Sequence, residues 1–253
     1  MVDVTGPVER LRNERPSDLY LAFHAPRYKM LLDLLAQHVT ASTRVLDIGR
    51  STLSVLIARQ FGGTVDTLGF AADQPTDIGK HWKFDLNDAQ FSERWRTDLG
   101  PYDVVVMAEV IEHIHTSPSL VLRFLRSLLS DAGVIVVQTP NAAALHKRVK
   151  LLLGRNPYDL INEDVTDPLH FREYTKSELI RYLRAAGFDV LAFASGNYFD
   201  YRYPTGSRPH RPLLARIGAI NLFYRFMPEL LKPGFTVVAR RRPDSSAPAT
   251  DAT

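Results

Sequence analysis

Two kinds of apolar pattern alternate along the chain. Short apolar or β-branched runs at residues 44–48, 64–70, 82–86, 102–108, 134–138, 188–194 and 235–239 predict strands. The runs at 102–108 and 134–138 are almost without polar interruption, as in a parallel sheet covered on both faces. Between the runs, apolar residues recur every three or four positions, the helical spacing. Met30, Leu31, Leu34 and Leu35 do so within 20–39; Leu53, Leu56, Ile57 and Phe61 follow the first strand and stop at Gly62-Gly63. Ser117-Pro118 reads as a cap with proline in the first turn, before a helix face of Val121, Leu125 and Leu128. Asp131-Ala132-Gly133 reads as a turn. Thr175-Lys176-Ser177-Glu178 forms a capping box before Leu179, Ile180 and Leu183, and Gly187 suits the left-handed end of that helix.

Strands alternating with helices predict an α/β fold with an open sheet. Ligands of such sheets sit in the crevice beyond the carboxyl ends of the strands. Two of the predicted strands stop abruptly at polar residues. One reads Val45-Leu46-Asp47-Ile48-Gly49-Arg50-Ser51; the other runs from Tyr102 to Ala108 and on into Glu109-Val110-Ile111-Glu112-His113. One pocket shared by these two ends is the expected functional site.

Composition narrows the options. The chain has 253 residues, 45% hydrophobic, enough for one large α/β domain with a real core. A net charge of +3 argues against a dedicated nucleic-acid binder. The absence of cysteine excludes disulfides, thiolate metal sites and cysteine nucleophiles. Residues 1–16 are polar and charged, without the apolar core of a signal peptide, and no apolar run reaches the roughly 18 residues of a membrane span. A cytoplasmic location is expected. Residues 1–40 read as an N-terminal helical cap, 41–242 as the core and 243–253 as a disordered tail. Within the core, 198–233 reads as a helical insertion between the last two strands. It carries six basic residues (Arg202, Arg208, Arg211, Arg216, Arg225, Lys232) against two acidic ones (Asp200, Glu229), interleaved with aromatics. Aromatic faces there suit sugar rings; a lid, a homodimer contact or an amphipathic membrane-surface segment over 213–231 are the other options.

The alternation, closed by an extra hairpin strand, resembles the class I S-adenosylmethionine-dependent methyltransferases over roughly residues 44–240. That resemblance implies a Rossmann-like, doubly wound, seven-stranded sheet with an antiparallel last strand. The family's first motif, acidic-x-Gly-x-Gly-x-Gly, stands here as Asp47-Ile48-Gly49-Arg50-Ser51-Thr52-Leu53, with Ser51 and Leu53 in place of the later glycines. The family's ribose-binding acid has no counterpart at Ala71, which leaves Asp73, or Asp66 in a shifted register. Phe84-Asp85-Leu86 matches the adenine motif, and both Glu109-to-His113 and Gln138-Thr139-Pro140-Asn141 match later motifs. The resemblance therefore implies S-adenosylmethionine as cofactor, held by Asp47, Gly49, Ser51, Asp73, Asp85, Leu86 and Glu109. Asp85 reads equally as an Asx-turn residue. The segment Asp167-Pro168-Leu169-His170-Phe171-Arg172-Glu173-Tyr174-Thr175 is similar to bacterial enzymes that methylate sugars and other small hydroxyl acceptors, among them actinobacterial enzymes acting on mannosides in polysaccharide synthesis.

Methyl transfer to a hydroxyl needs collinear positioning and a base for the hydroxyl proton. Histidine suits that role, with an ordinary pKa of about 6.5. His113 and His170 are the candidates, with Glu109 and Glu112 beside them. Competing readings are a strand-capping His113, a loop-bracing His170, and a Glu109 that merely pairs with Arg172 or another cation. His115 is expected to face solvent, and His24, His38 and His146 to sit on helices. Glu109, Glu112, His113 and His170 also have the ligand chemistry of a divalent ion such as magnesium, which would lower the acceptor's pKa. The expected activity is O-methylation of a carbohydrate hydroxyl, best a mannoside or mannose oligosaccharide. The alternatives are a small non-sugar hydroxyl of quinone or polyketide type, or a catalytically degenerate partner subunit.

Overall fold

The computed structural model describes residues 6–160, 169–204 and 218–243. The first three elements fold together around one strand. Helices α1 (Pro7–Glu14) and α2 (Leu19–Leu35) precede strand β1 (Val45–Ile48), which is followed by α3 (Thr52–Phe61). Next come β2 (Val65–Gly69), a two-residue β3 (Gln74–Pro75), β4 (Lys80–Lys83), β5 (Tyr102–Ala108), α4 (Pro118–Ser127) and β6 (Leu129–Pro140). The described chain closes with α5 (Leu145–Leu152), α6 (Lys176–Ala185), β7 (Phe188–Gly196), α7 (Ala219–Arg225) and β8 (Gly234–Arg241).

The eight strands form one sheet in the order β3-β4-β2-β1-β5-β6-β8-β7. The central strands are parallel, and β8 runs antiparallel to both its neighbours. The expected seven strands are all present; the eighth is the short β3, antiparallel to β4 at the edge. Alternation along the strands sorts side chains into two layers, as a period of two requires. Val45, Val65, Val104, Val106, Val134 and Val136 pack with α1, α2 and α3, whereas Leu46, Leu68, Val105, Met107, Ile135 and Val137 pack with α4 and α6. Both faces are covered, which is why these strands read as unbroken apolar runs.

Three boundaries differ from expectation. The strand expected at 82–86 lies at Lys80–Lys83, because the Phe84 amide already donates to the Gly69 carbonyl and Asp85 turns the chain into a 3-10 turn, Leu86–Gln90. The turn expected at 131–133 is absorbed into β6, which pairs with β5 through an irregular register there. Helix α5 was expected only as the helical stretch that holds His146, without bounds. The N-terminal helices do more than cap: the last turns of α2 (Leu31, Leu32, Leu35) belong to the core. Residues 244–253 of the expected tail, and 205–217 of the insertion, lie outside the described residues.

Candidate functional site

The parallel strands end in register along one edge. Asp47 of β1 faces Thr67 and Val106, and Ala108 of β5 faces Gln138. Backbone bonds continue the alignment past the strand ends, from Gly49 N to Leu68 O at 2.8 Å and from Glu109 N to Gln138 O at 2.8 Å. The polar residues expected at one pocket therefore meet at one edge.

The β1 end explains the altered glycine motif. Gly49 has φ +82, a backbone that favours glycine, and an added Cβ would meet nothing closer than Val110 Cγ2 at 3.9 Å. The space in front of it is open, as a cradle for a bound nucleoside requires. Ser51 instead has an extended backbone (φ −148), which any residue adopts, and Leu53 is a buried helical residue. Neither position needs glycine. Ser51 Oγ accepts from Leu53 N at 3.2 Å and Ser54 Oγ accepts from Ser51 N at 3.1 Å, so α3 caps itself. Asp47 is buried and accepts a 2.6 Å bond from Ser54 Oγ; loss of solvent pushes its carboxyl up to about 7.

The two candidate ribose acids are both engaged. Asp73 is exposed and accepts from Lys83 N at 2.6 Å and from the Arg96 guanidinium at 3.2 Å; the backbone bond, then Arg96, holds its carboxyl below the usual range. Asp66 accepts from Lys80 N and the Tyr102 hydroxyl, both at 2.8 Å. Asp85 forms the Asx-type turn, accepting from Asn87 N at 2.9 Å while half-buried. Leu86 is buried in the main core.

The β5 end carries the densest charge. Glu109 has φ +56, a left-handed backbone in a non-glycine residue, and such strain is kept where surrounding structure enforces it. Its carboxylate pairs with Arg27 of α2 at 3.4 Å, both side chains largely buried, while Oε1 has no partner. Burial drives the Glu109 carboxyl upward against the pull of Arg27. Glu112 is fully buried: Thr139 Oγ1 donates to Oε2 at 3.0 Å, and Oε1 has no partner. Burial first, and Glu109 second, push its carboxyl well above the usual range.

The loop before α6 folds back onto this end, its Phe171 amide donating to the Glu112 carbonyl at 2.8 Å. The His170 ring thereby meets the His113 ring edge-on at 4.8 Å. Candidate ligand atoms of Glu112, His113 and His170 lie within 4.8 Å of one another. His170 Nδ1 is 3.1 Å from Glu173 Oε1, and Lys147 of α5 pairs with the other oxygen of Glu173. Burial lowers His170 to about 4 and Lys147 to about 8.

Glu109, Glu112, His113 and His170 are thus brought together, and the cation on Glu109 is Arg27, since Arg172 pairs with Glu178 at 2.7 Å. His115 is exposed, His24 is buried in α2, and His146 of α5 meets the Tyr224 hydroxyl at 3.3 Å. Arg27 and Lys147 escaped the sequence reading, and Thr139 and Glu173 stood in it only as members of motifs, without a role. Asn141 serves as scaffold: its amide donates to Leu230 O and Lys232 O at 3.0 and 2.9 Å.

A family model described as a methyltransferase domain matches residues 19–192. No curated protein matches the chain. Among solved structures, a SAM-dependent methyltransferase from Archaeoglobus fulgidus aligns with TM-score 0.51 and 16% identity, over 85% of this chain and 94% of that one. An S-adenosylmethionine-dependent methyltransferase from Mesorhizobium loti aligns with TM-score 0.52 and 13% identity, over 83% and 96%. Geranyl diphosphate C-methyltransferase from Streptomyces coelicolor A3(2), solved with Mg2+, geranyl diphosphate and S-adenosyl-L-homocysteine, aligns with TM-score 0.52 and 14% identity, over 86% and 80%. At these identities the likeness is one of fold.

Proposed function

The chain belongs to the methyltransferase-domain family and is S-adenosylmethionine-dependent, and from that premise we propose that it methylates a hydroxyl oxygen, with His170 as general base. The observation that carries this reading is the geometry at His170, whose ring meets the His113 ring at the β5 end while its Nδ1 lies 3.1 Å from Glu173 Oε1. Burial lowers His170 to about 4, so its imidazole is neutral at physiological pH and has a lone pair to offer. The Glu173 carboxylate accepts a hydrogen bond from Nδ1–H in this tautomer, which leaves Nε2 as the acceptor. Lys147 holds Glu173 in place. S-adenosylmethionine, when bound, supplies the electrophilic methyl group. Asp47 and the open backbone at Gly49 would hold its amino-acid portion, Asp73, Asp85, Leu86 and Glu109 the rest, with Ser51 setting the start of α3. Holding an acceptor oxygen collinear with that methyl is a positioning task for Glu109, Glu112 and His113.

A carbohydrate acceptor fits the mixture of carboxylates, imidazoles and ammonium around this point, and the similarity of residues 167–175 to sugar-methylating enzymes favours a mannoside. A second reading has its own observation: Glu112 Oε1 is buried without a partner, within reach of both imidazoles. Glu112, His113 and His170 would then hold a divalent ion such as magnesium, which lowers the pKa of a bound hydroxyl.

The test is methyl transfer from labelled S-adenosylmethionine to a panel of mannosides, other sugars and quinone-type phenols, with magnesium or with EDTA. Label on a sugar oxygen, reduced about 10²–10⁴-fold in turnover by H170A, is the expected result. Loss of activity in EDTA assigns His170 to the ion. Transfer to carbon or nitrogen, unaffected by H170A, overturns the proposal.

A further inference from the structure

We propose that α5 and α7, with the turns that follow them, form a docking surface for an anionic lipid bilayer. Ten of the seventeen exposed large apolar side chains among the described residues fall within 149–160 and 222–230. Leu152, Leu160 and Phe226 are 86%, 83% and 76% exposed. The two segments adjoin, because the Tyr224 hydroxyl of α7 meets His146 of α5 and Asn141 at the foot of α5 grips the backbone at Leu230 and Lys232. Single exposed leucines need no explanation, but a contiguous group does.

Charge selects the occupant. Residues 145–160 and 219–232 carry Arg148, Lys150, Arg155, Arg225 and Lys232 against Asp159 and Glu229, an excess of positive charge, and none of these five cations is in an ion pair with a carboxylate among the described residues. Arg148 and Leu230 also line a cleft of about 1060 Å³ whose other cations include Lys176, Arg181 and Arg184. Exposed apolar side chains beside an excess of cations are the pattern of helices that lie in a bilayer interface. A second copy docked about a two-fold axis would bring these cations against themselves. The leucines at 151–153 are consecutive and surround an open turn, where a Cβ on Gly154 (φ +69) would meet nothing within 4 Å. Helix α5 meanwhile sends Lys147 inward to Glu173, so docking would hold the His113–His170 pair beside the lipid surface.

The test is flotation of the full chain with vesicles of phosphatidylcholine alone or mixed equally with phosphatidylglycerol. It reads binding and is independent of any acceptor assay. Expected is flotation with the anionic vesicles only, weakened by salt. L152E and F226E should each lower vesicle affinity by at least about tenfold. F91E, next to the opposite edge of the sheet, should leave it unchanged, with S-adenosylhomocysteine affinity retained in all three. Absence of flotation, equal flotation of L152E and F226E, or a dimer that L152E dissociates would each overturn the proposal.

Discussion

Asp47→Asn isolates the cost of a buried carboxyl at the start of the proposed cofactor cradle. Asp47 is 1% exposed, its one side-chain donor is Ser54, and burial raises it from 3.8 to about 7. In the folded chain the carboxyl therefore keeps its proton between those values, whereas the unfolded chain has released it. The native state binds more protons over that window, so stability falls as pH rises through it and levels off above about 7. A span of roughly three pH units at about 1.4 kcal/mol each comes to about 4 kcal/mol. The substituted amide cannot ionise and escapes this loss, at an offset of about 1–3 kcal/mol for an N–H left unpaired. Urea unfolding of both proteins from pH 4 to pH 8 measures the difference. Glu109 and Glu112, also raised by burial, affect both proteins alike and cancel. The variant should gain on the wild type by about 1.4 kcal/mol per pH unit up to pH 7 and no further. Saturating S-adenosylhomocysteine should flatten the wild-type slope, since the ligand's ammonium favours the ionised carboxylate. A difference independent of pH between 5 and 7 would refute the reasoning.

Two further substitutions probe the same edge. Arg27→Met leaves Glu109 buried without its cation and should cost about 3–5 kcal/mol in urea unfolding, most of it recovered when Glu109→Gln is added. If the double variant is no more stable than Arg27→Met alone, packing rather than charge explains the loss. Asp85→Ala should lower S-adenosylhomocysteine affinity by about tenfold or more in calorimetry, while loss of the turn cap costs only about 1 kcal/mol of stability. Unaltered affinity removes Asp85 from the adenine contact.

What the sequence revealed depends on the range of the interaction. The succession of strands and helices follows from short-range signals: unbroken apolar runs, helical faces of period 3.6, and a cap such as Thr175 that closes on a residue three positions away. The placement of Glu109, Glu112 and His113 was legible for the same reason, because they continue a strand whose end is fixed by its own pattern. Helix α5 was legible only as a helical stretch around His146, since Val149, Leu151 and Leu152 are exposed and its buried residue is Lys147, so its apolar residues mark no face toward the core.

The partners of the site lie at the long-range end of the scale. Arg27 is 82 positions from Glu109, and Lys147 is 26 from Glu173. Each is a cation inside an otherwise ordinary helical stretch, and nothing local marks it as buried. Their burial is nevertheless a consequence of what was legible. Once three carboxyl groups are placed at one covered sheet edge, they stay protonated unless cations are brought to them. Helices α2 and α5, far apart along the chain, each deliver one. The ionisation of the site is therefore set by elements that contribute no strand to the sheet. If the proposed hydroxyl methylation holds, variation in α2 and α5 should tune which hydroxyl the site can deprotonate, and grafting those two helices between relatives is the direct way to see acceptor preference move with them.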